Sequence, residues 1–300
     1  MGTVIILTIW KELLNQVYKI LLTGSSGFIG SNILSSFSEK YKFYIVVRKK
    51  IPKKKLIKKN IKVIYFKTYE SLNLKLKKIK VDIVIHCATH YTKTHRFSDI
   101  KKFCNSNLLF GNIILENLNV IKASKFINFS TVWEDGNAKK NNTINLYAAY
   151  KKSFSAILDF YKKNLKKVKF YELMISDTFG KNDQRKKIIN ILKTNYQKKK
   201  ITNIISKNLH INLLNILDIV NAINLILRKS IIPKKYLLKN KVDTKIFDLI
   251  KIFNKNNEKP LKVKWHSNRL IKYKIYPYDK LKGWKPKNSN IQDIINYIKF

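Results

Sequence analysis

Three glycines spaced three residues apart follow a short apolar run near the start of the chain. The run is Tyr18–Leu22, and the glycines are Gly24, Gly27 and Gly30, after which the sequence continues as an expected helix. A first glycine permits a sharp turn, a second lets backbone N–H groups approach a pyrophosphate, and a third lets the helix pack closely on the strand. Because the glycines lie between a strand and a helix, we interpret them as a dinucleotide-binding turn rather than a plain turn.

Short apolar runs alternate with stretches of helical spacing along the first half of the chain. The expected strands are Tyr18–Leu22, Phe43–Val47, Ile61–Phe66, Val81–His86, Lys125–Ser130 and Lys169–Ile175, and the expected helices are Ile29–Phe37, Phe103–Leu118 and Tyr147–Lys162. Strands that alternate with helices in this way form βαβ units. We therefore predict an α/β, Rossmann-type doubly wound parallel sheet that binds its ligand at the carboxyl ends of the strands.

The composition is typical of a globular protein from a reducing compartment. The 300 residues are 45% apolar and 12% aromatic, and the two cysteines, Cys87 and Cys104, are too few for a disulfide framework. The apolar run Val4–Trp10 is too short to span a bilayer and has no basic residues before it. We expect a cytoplasmic protein with no membrane partner, in which residues 1–18 form an extension ahead of the fold.

The chain is strongly basic, with a formal net charge of +44. Such a surface could attract nucleic acid. However, the basic residues are nearly all lysine, whereas specific nucleic-acid recognition relies on arginine. Lysine also rises together with isoleucine and asparagine, as A/T-rich codons would produce. We favour solvated lysine faces, densest at Lys49–Lys62, and expect no specific nucleic-acid partner, while a nucleic-acid surface stays the alternative.

A tyrosine and a lysine four residues apart are the strongest candidates for catalysis. Tyr147 and Lys151 share one face of an expected helix, and a nearby cation would lower the pKa of the tyrosine. The fifth strand ends at Ser130 and Thr131, where a hydroxyl could orient a substrate oxygen toward Tyr147. A surface Tyr–Lys pair and a helix cap are the plainer alternatives. The order of glycine turn, strand-end hydroxyl and Tyr–Lys helix favours catalysis.

These motifs, in this order, resemble the extended short-chain dehydrogenase/reductases of the NAD-dependent epimerase/dehydratase family from about residue 18 onward. Further segments that match the family's pattern are Val81–Ala88, Asn107, Ser176–Gly180, Asn215–Val220 and Leu281–Pro286. The stretches Ser130–Trp133 and Asn145–Ala149 look most like the nucleotide-sugar 4-ketoreductases of surface-polysaccharide synthesis. The resemblance implies a sugar-nucleotide substrate and a homodimer.

The resemblance also implies roles for individual residues. Tyr147 would donate a proton, Thr131 would orient the substrate oxygen, and Lys151 would tune Tyr147 and hold the nicotinamide ribose. Asp177 would bind the sugar nucleotide together with Thr131. Arg185, in the expected substrate segment, could hold the diphosphate bidentately, and a solvated loop arginine is the plainer alternative. The expected cofactor-binding residues are Gly24, Ser26, Gly27, Phe28, Ile29, Gly30, Arg48, Cys87, Ala88 and Lys151.

The end of the second strand bears on the choice of cofactor. NAD-preferring relatives carry an acid there, which binds the ribose 2′-hydroxyl, whereas this chain has Arg48. A cation suits the 2′-phosphate of NADP(H), so we favour NADP(H) over NAD(H). Arg48 also opens a lysine run and could simply be part of it.

The favoured reaction is the reduction of a 4-keto deoxy-sugar nucleotide. Dehydratases of the family place an Asp-Glu pair directly after the active-site threonine, but here Val132 follows Thr131, and Glu134 and Asp135 come too late. An NAD-dependent epimerase is the first alternative. A non-catalytic Rossmann protein that binds nucleic acid is the alternative from another class.

The chain is expected to divide into two parts. We predict an NAD(P)-binding domain of residues 19–177 plus about 201–224, and a smaller substrate-binding lobe of residues 178–200 and 225–300. The alternating strands and helices predicted above all lie in the first of these two parts.

Several other side chains near the strand ends are candidates for the site. His86, His90 and His95 lack the spacing of a zinc site, so no metal is expected, and His86 is interpreted as a packed histidine. His90 and Tyr91 could line the substrate cleft. Trp133 could stack on a sugar ring or fill core.

Overall fold

The computed structural model describes residues 17–49 and 60–300, and its main feature is a seven-stranded parallel sheet. In chain order the strands are β1 (Lys19–Thr23), β2 (Lys42–Val47), β3 (Ile61–Tyr65), β4 (Ile83–His86), β5 (Lys125–Thr131), β6 (Lys169–Ile175), β7 (Asp177–Phe179), β8 (Thr202–Ile204), β9 (Leu209–Ile211), β10 (Leu213–Asn215), β11 (Lys235–Leu238), β12 (Thr244–Lys245), β13 (Val263–Trp265) and β14 (Ile271–Lys272). The sheet has the order β11-β6-β5-β4-β1-β2-β3. The predicted doubly wound parallel sheet is confirmed.

Helices cover the sheet and continue into the second half of the chain. They are α1 (Phe28–Phe37), α2 (Tyr69–Leu76), α3 (Phe97–Phe103), α4 (Phe110–Glu116), α5 (Leu146–Asn164), α6 (Ile188–Gln197), α7 (Ile216–Arg228), α8 (Ile246–Lys255) and α9 (Ile291–Lys299). A π-helical turn, Cys104–Leu109, joins α3 to α4, so the helix predicted over Phe103–Leu118 begins six residues earlier than expected. Phe97 and Ile100 in this additional helix are exposed, so they do not belong to the buried apolar face by which the helix was predicted.

Both faces of the sheet are buried, as expected for parallel strands. On β1, Ile20 and Leu22 pack into one core with side chains of α1 and α7. Leu21, which points to the opposite face, packs with side chains of α2, α4 and α5. This alternation follows from the two-residue period of a strand. It leaves the carboxyl ends of the strands free to form a site.

A smaller group of elements surrounds a separate apolar core. Helices α6, α8 and α9 bury Leu192, Phe253 and Ile294 there. Strand β8 pairs with β13, and β9 pairs with β12 and β14.

These pairings differ from the expected boundaries of the two parts. Strand β11 lies within the residues expected for the lobe, but it pairs with β6 and extends the main sheet. Strands β8 and β9 lie within residues 201–224, which were expected in the main domain, but they pair with lobe strands. Strands of three or four residues are too short for their pattern to indicate a partner. The division into two domains itself stays a prediction.

Parts of the expected features lie outside the described residues. These are residues 1–16 of the expected extension, with the apolar run Val4–Trp10, and residues 50–59 of the lysine run. Within residues 17–49 and 60–300, each helix is either too short or too polar to cross a bilayer.

Two of the matched segments meet at Asp218 on α7. The carboxylate of Asp218 accepts hydrogen bonds from the backbone N–H groups of Lys287 and Asn288, at 2.8 and 3.1 Å, and from the Ser289 hydroxyl. Its backbone carbonyl accepts the indole N–H of Trp284 at 2.8 Å. The buried aspartate therefore ties the closing segment to the main sheet.

Candidate active site

One cavity of about 1130 Å³ opens at the carboxyl ends of β1, β2, β4 and β5. The residues expected to act in catalysis or to bind the cofactor and the sugar nucleotide line it, namely Gly24, Ser26, Gly27, Phe28, Ile29, Gly30, Arg48, Cys87, Ala88, Thr131, Tyr147, Lys151, Asp177 and Arg185. Parallel strands bring their carboxyl ends to one edge, which explains why segments far apart in sequence meet here.

The glycine turn has no room for side chains. Gly24 has a φ of +68°, and a Cβ there would lie 2.6 Å from the backbone nitrogen of Ala88. A Cβ on Gly30 would collide with the carbonyl oxygen of Gly24. Gly27 caps α1 with extended backbone and donates its N–H to the Gly24 carbonyl at 3.0 Å. The turn therefore leaves a backbone cradle at a helix N-terminus, which suits the phosphates of a dinucleotide.

The end of β4 is held against this turn by His86. Its Nδ1 lies 2.9 Å from the Thr23 hydroxyl, which accepts the Ala88 N–H at 3.2 Å. The ring packs among Phe110, Phe126 and Phe154. Burial, and then the charge of Lys151, lowers the His86 pKa to about 3, so this histidine is neutral.

His90 and the π turn fix the chain beyond β4. Asn107 accepts the His90 N–H at 2.7 Å and donates to the His90 carbonyl at 3.1 Å. The imidazole Nε2 of His90 lies 3.2 Å from a carboxylate oxygen of Asp99. His86 and His90 thus have separate partners, and His90 is not among the residues that line the cavity. Tyr91, the next residue, does line it.

The Tyr–Lys helix begins beside the end of β5. Asn145 caps α5 by accepting the Ala148 N–H at 2.9 Å, which places Tyr147 in the first turn and Lys151 in the second. Lys151 is only 6% exposed, although it lines the cavity. Thr131 ends β5, and its hydroxyl accepts the Trp133 N–H at 3.4 Å. The geometry can supply a hydroxyl, a phenol and an ammonium to one ligand.

The pKa of Tyr147 differs in direction from the expectation. Burial raises the Tyr147 pKa, and the neighbouring phenol of Tyr91 raises it further, while Arg185 opposes them. Lys151 is not among the groups that lower it. Burial also lowers the pKa of Lys151, against the opposing charges of Glu134 and Glu172. The expectation of a lowered Tyr147 pKa is therefore wrong for the protein alone, because burial disfavours the charged phenolate.

Arg185 already has an anionic partner. Its Nε and Nη2 donate to the two carboxylate oxygens of Asp183, each at 2.7 Å, and Nη2 also donates to the carbonyl of Thr178 at 3.0 Å. The guanidinium lies 4.4 Å from the ring centroid of Phe28 in the glycine turn. A bidentate contact of Arg185 with a diphosphate would have to replace the Asp183 pair.

Lys187 is a cavity residue that the sequence did not reveal. Its Nζ lies 2.6 Å from Asp177 Oδ1 and about 5.5 Å from the ring centroids of Tyr91 and Trp133. Tyr91 in turn packs edge-on against Tyr147, with centroids 5.0 Å apart. A lysine in so lysine-rich a chain gives no signal by itself.

Arg48 lines the cavity at the end of β2 together with Lys49. The following residues, 50–59, lie outside the described part of the chain. Two cations therefore stand on the side of the cavity formed by β2 and the glycine turn.

The chain is similar to nucleotide-sugar enzymes in sequence and in fold. A model of the NAD dependent epimerase/dehydratase family matches residues 20–238. CDP-abequose synthase of Yersinia pseudotuberculosis is 30% identical over 209 residues, which cover 68% of this chain and 71% of that protein. dTDP-D-glucose 4,6-dehydratase of Dictyostelium discoideum is 31% identical over 254 residues, which cover 73% of this chain and only 58% of that protein.

A solved structure extends the likeness to almost the whole chain. UDP-glucuronic acid 4-epimerase from Bacillus cereus, in complex with UDP-glucuronic acid and NAD, superposes with a TM-score of 0.74. The superposition covers 93% of this chain and 98% of that one, at 20% identity. At this identity the likeness concerns the fold.

Proposed function

The chain belongs to the NAD dependent epimerase/dehydratase family, and from this we propose that it oxidises or reduces a nucleotide-activated sugar with a nicotinamide dinucleotide. One observation carries the proposal. A single cavity combines a glycine cradle, a strand-end threonine and a Tyr–Lys helix. The close approach of the glycine turn to the end of β4 requires a glycine at 24, because a Cβ there would collide with the backbone of Cys87 and Ala88, and the turn leaves backbone N–H groups at the start of α1 for the phosphates of the cofactor. When bound, the cofactor supplies or accepts the hydride.

We further propose reduction of a 4-keto deoxy-sugar nucleotide in surface-polysaccharide synthesis. Tyr147 donates the proton to the sugar oxygen, Thr131 orients that oxygen, and Lys151 holds the nicotinamide ribose and faces Tyr147. Burial keeps the Tyr147 phenol protonated, and a protonated phenol is the form that can donate to a keto oxygen. The 30% identity to a CDP-abequose synthase also supports reduction as the proposed reaction.

The acids after Thr131 support a reductase over a dehydratase. Glu134 is fully buried and bonds Ser130, while Asp135 forms an ion pair with Lys152 at 3.0 Å. Both carboxylates are thus occupied within the protein. Neither lines the cavity, so an acid–base pair for the elimination of water has no support.

The substrate is proposed to lie against Trp133, Tyr91 and Lys187, with its charge balanced by Lys187 and Arg185. Both cations line the cavity and both have an aspartate partner, Asp177 and Asp183. A diphosphate would compete with these carboxylates for the two cations. The preference for NADP(H) over NAD(H) rests on Arg48 alone.

We also propose a homodimer formed through α5 and the neighbouring helical segment, which consists of α3, the π-helical turn and α4. Apolar side chains on these helices are exposed, namely Phe97, Ile100, Leu109 and Phe160. Pairing of two copies would remove this surface from water.

The test is a binding and turnover assay on the full chain. Binding of NADH and NADPH is measured first, and oxidation of the bound cofactor by 4-keto-6-deoxy sugar nucleotides is then followed by absorbance. Loss of nicotinamide absorbance that depends on the sugar would establish a reductase. Tight binding without net oxidation would favour the epimerase, and no binding would mean that the glycine turn is misinterpreted.

Substitution of Tyr147 separates catalysis from binding. We expect Tyr147→Phe to lower kcat by about 10²- to 10⁴-fold while the affinity for the cofactor is kept. Tyr150→Phe is the matched control, since Tyr150 lies on the same helix but contacts the exposed Cys104, 3.2 Å away. Full activity of Tyr147→Phe would refute the assignment.

A further inference from the structure

A cluster of polar side chains is buried behind the cavity, between the main sheet and α5. We call it the buried acid cluster, and its members are Ser130, Glu134, Ser155, Glu172 and Lys235. Ser130 lies at the end of β5 and Glu134 in the 3₁₀-helical turn Val132–Ala138 that follows it, while the other members come from α5, from β6 and from the first residue of β11. Glu134 is 0% exposed and Glu172 is 2% exposed. Two carboxylates at this depth need a reason, since burial of a charge is costly.

The cluster contains one cation for two carboxylates. Lys235 Nζ lies 3.2 Å from Glu134 Oε2 and 3.1 Å from Glu172 Oε1. The Ser155 hydroxyl donates to Glu134 Oε2 at 3.4 Å and also to Glu172 Oε1. Ser130 donates to the other oxygen of Glu134. A further cation, Lys162, is 3.9 Å from Glu172 Oε2. Glu134 therefore shares its cation and keeps part of its negative charge unbalanced.

The two serines of the cluster lie next to the proposed catalytic residues along their elements. Ser155 follows Lys151 by four residues on α5, so the two side chains lie on the same face, and both are buried. Ser130 directly precedes Thr131 and also lines the cavity. Glu134, which bonds both serines, thus lies behind Lys151 and Thr131.

We propose that Glu134 is a positioning residue whose buried carboxylate keeps Lys151 in its ammonium form. The inference rests on the function proposed above for Lys151. An ammonium that is only 6% exposed needs a nearby anion, and Glu134 supplies it from behind the cavity.

The charges that act on Lys151 agree with this. Burial lowers the pKa of Lys151, and Glu134 is the largest opposing influence, followed by Glu172 and the Cys87 thiol, whereas Lys235 acts in the same direction as burial. Burial raises the pKa of Glu134, as does Glu172, against Lys235 and Lys151. The charge of Lys151 also acts on the pKa of His86, and the charge of Glu134 acts on the pKa values of Tyr147 and Tyr278.

A purely structural role for Glu134 is the competing explanation, and Asp135 provides the matched control. Asp135 is also fully buried, and it binds Lys152 at 3.0 Å and the Asn141 N–H at 2.7 Å. It is not among the groups that influence Lys151. Glu134→Gln and Asp135→Asn therefore each remove one buried charge, but only the first removes a charge that acts on Lys151.

The experiment is competitive acetylation with acetic anhydride across a pH series, with each lysine quantified by mass spectrometry. Only the neutral amine reacts, so the pH dependence of labelling reports the protonation of each lysine. In Glu134→Gln we expect the curve of Lys151 to move to lower pH by on the order of one unit. In Asp135→Asn the curve of Lys151 should stay where it is in the unaltered protein.

An unmoved Lys151 curve in a folded Glu134→Gln protein would overturn the proposal. Should that variant fail to fold, Glu172→Gln gives the same test, because Glu172 acts on Lys151 in the same direction. Labelling needs no substrate, so it can be measured even if the protein turns over none of the sugar nucleotides tested. If the labelling curve of Lys151 moves in such a protein, the proposed reaction is refuted and the role of Glu134 is kept. In an active enzyme, the alkaline limb of kcat/KM should move to lower pH with the labelling curve.

Discussion

Burial decides the protonation of the side chains around the cavity. It raises the pKa of Tyr147, lowers that of Lys151, and lowers that of His86 to about 3. Spacing along a helix suggested that Lys151 lowers the pKa of Tyr147, but removal of the phenol from water raises this pKa. The consequence is a protonated phenol, a neutral imidazole and an ammonium that depends on nearby carboxylates.

His86 should make the protein sensitive to acid. Its pKa is about 3 in the folded protein and 6.5 in the reference state, so the unfolded chain binds more protons between these values. Stability from neutral His86 is complete above pH 6.5 and is lost as the pH falls toward 3. Between pH 7 and pH 5 we expect the free energy of unfolding to fall by about 2 kcal/mol, measured by urea denaturation.

Substitution isolates this contribution. His86→Gln should remove the part of the pH dependence that His86 causes, while His95→Gln, at an exposed position, should keep it. Equal acid sensitivity of the two variants would contradict the assignment.

At the scale of elements, the second half of the chain is joined to the sheet by polar contacts at a few positions. Asp218 at the start of α7 binds the segment 287–289, and Tyr278 donates to the buried Asp135 beyond β5. Strand β10 pairs with β7 just after the end of β6. These contacts fix the cavity wall that contains Asp177, Arg185 and Lys187.

Asp218 should be the most sensitive of these junctions to substitution. Asp218→Asn replaces an acceptor oxygen by an NH₂ group that faces N–H and hydroxyl donors, so we expect the free energy of unfolding to fall by about 2 to 3 kcal/mol. Asp159→Asn is the control, since Asp159 is 64% exposed and pairs with Lys162 on the same helix. That change should stay within about 0.5 kcal/mol. Similar losses in both urea titrations would argue against a special role for Asp218.

At the scale of the whole molecule, the dominant property is the formal net charge of +44. Some lysines have defined contacts, such as Lys235 in the buried acid cluster and Lys187 beside Asp177. Most lysines within residues 17–49 and 60–300 are exposed, where they raise the positive potential of the surface.

This charge should produce nucleic-acid binding that is weak, non-specific and sensitive to salt. We expect fluorescence anisotropy to detect binding of unrelated RNA and DNA oligonucleotides at low salt with similar affinity. Raising the salt from 50 to 200 mM should weaken binding by about 10³-fold or more, because counterion release drives it. Tight and sequence-dependent binding at physiological salt would favour the nucleic-acid function instead.

The sequence by itself determined the parallel α/β fold, the order of its first strands and the segments that form the cavity. Strand and helix periods are local, and the carboxyl ends of parallel strands must meet at one edge. Tertiary structure alone decided the pairing of Lys187 with Asp177, the capture of Arg185 by Asp183, and the position of β11 in the main sheet. It also brought Glu134 to Lys235, 101 residues away, and raised the pKa of Tyr147. Burial and contacts between distant charges arise only when the chain is packed, so they cannot be predicted from the spacing of residues along the sequence.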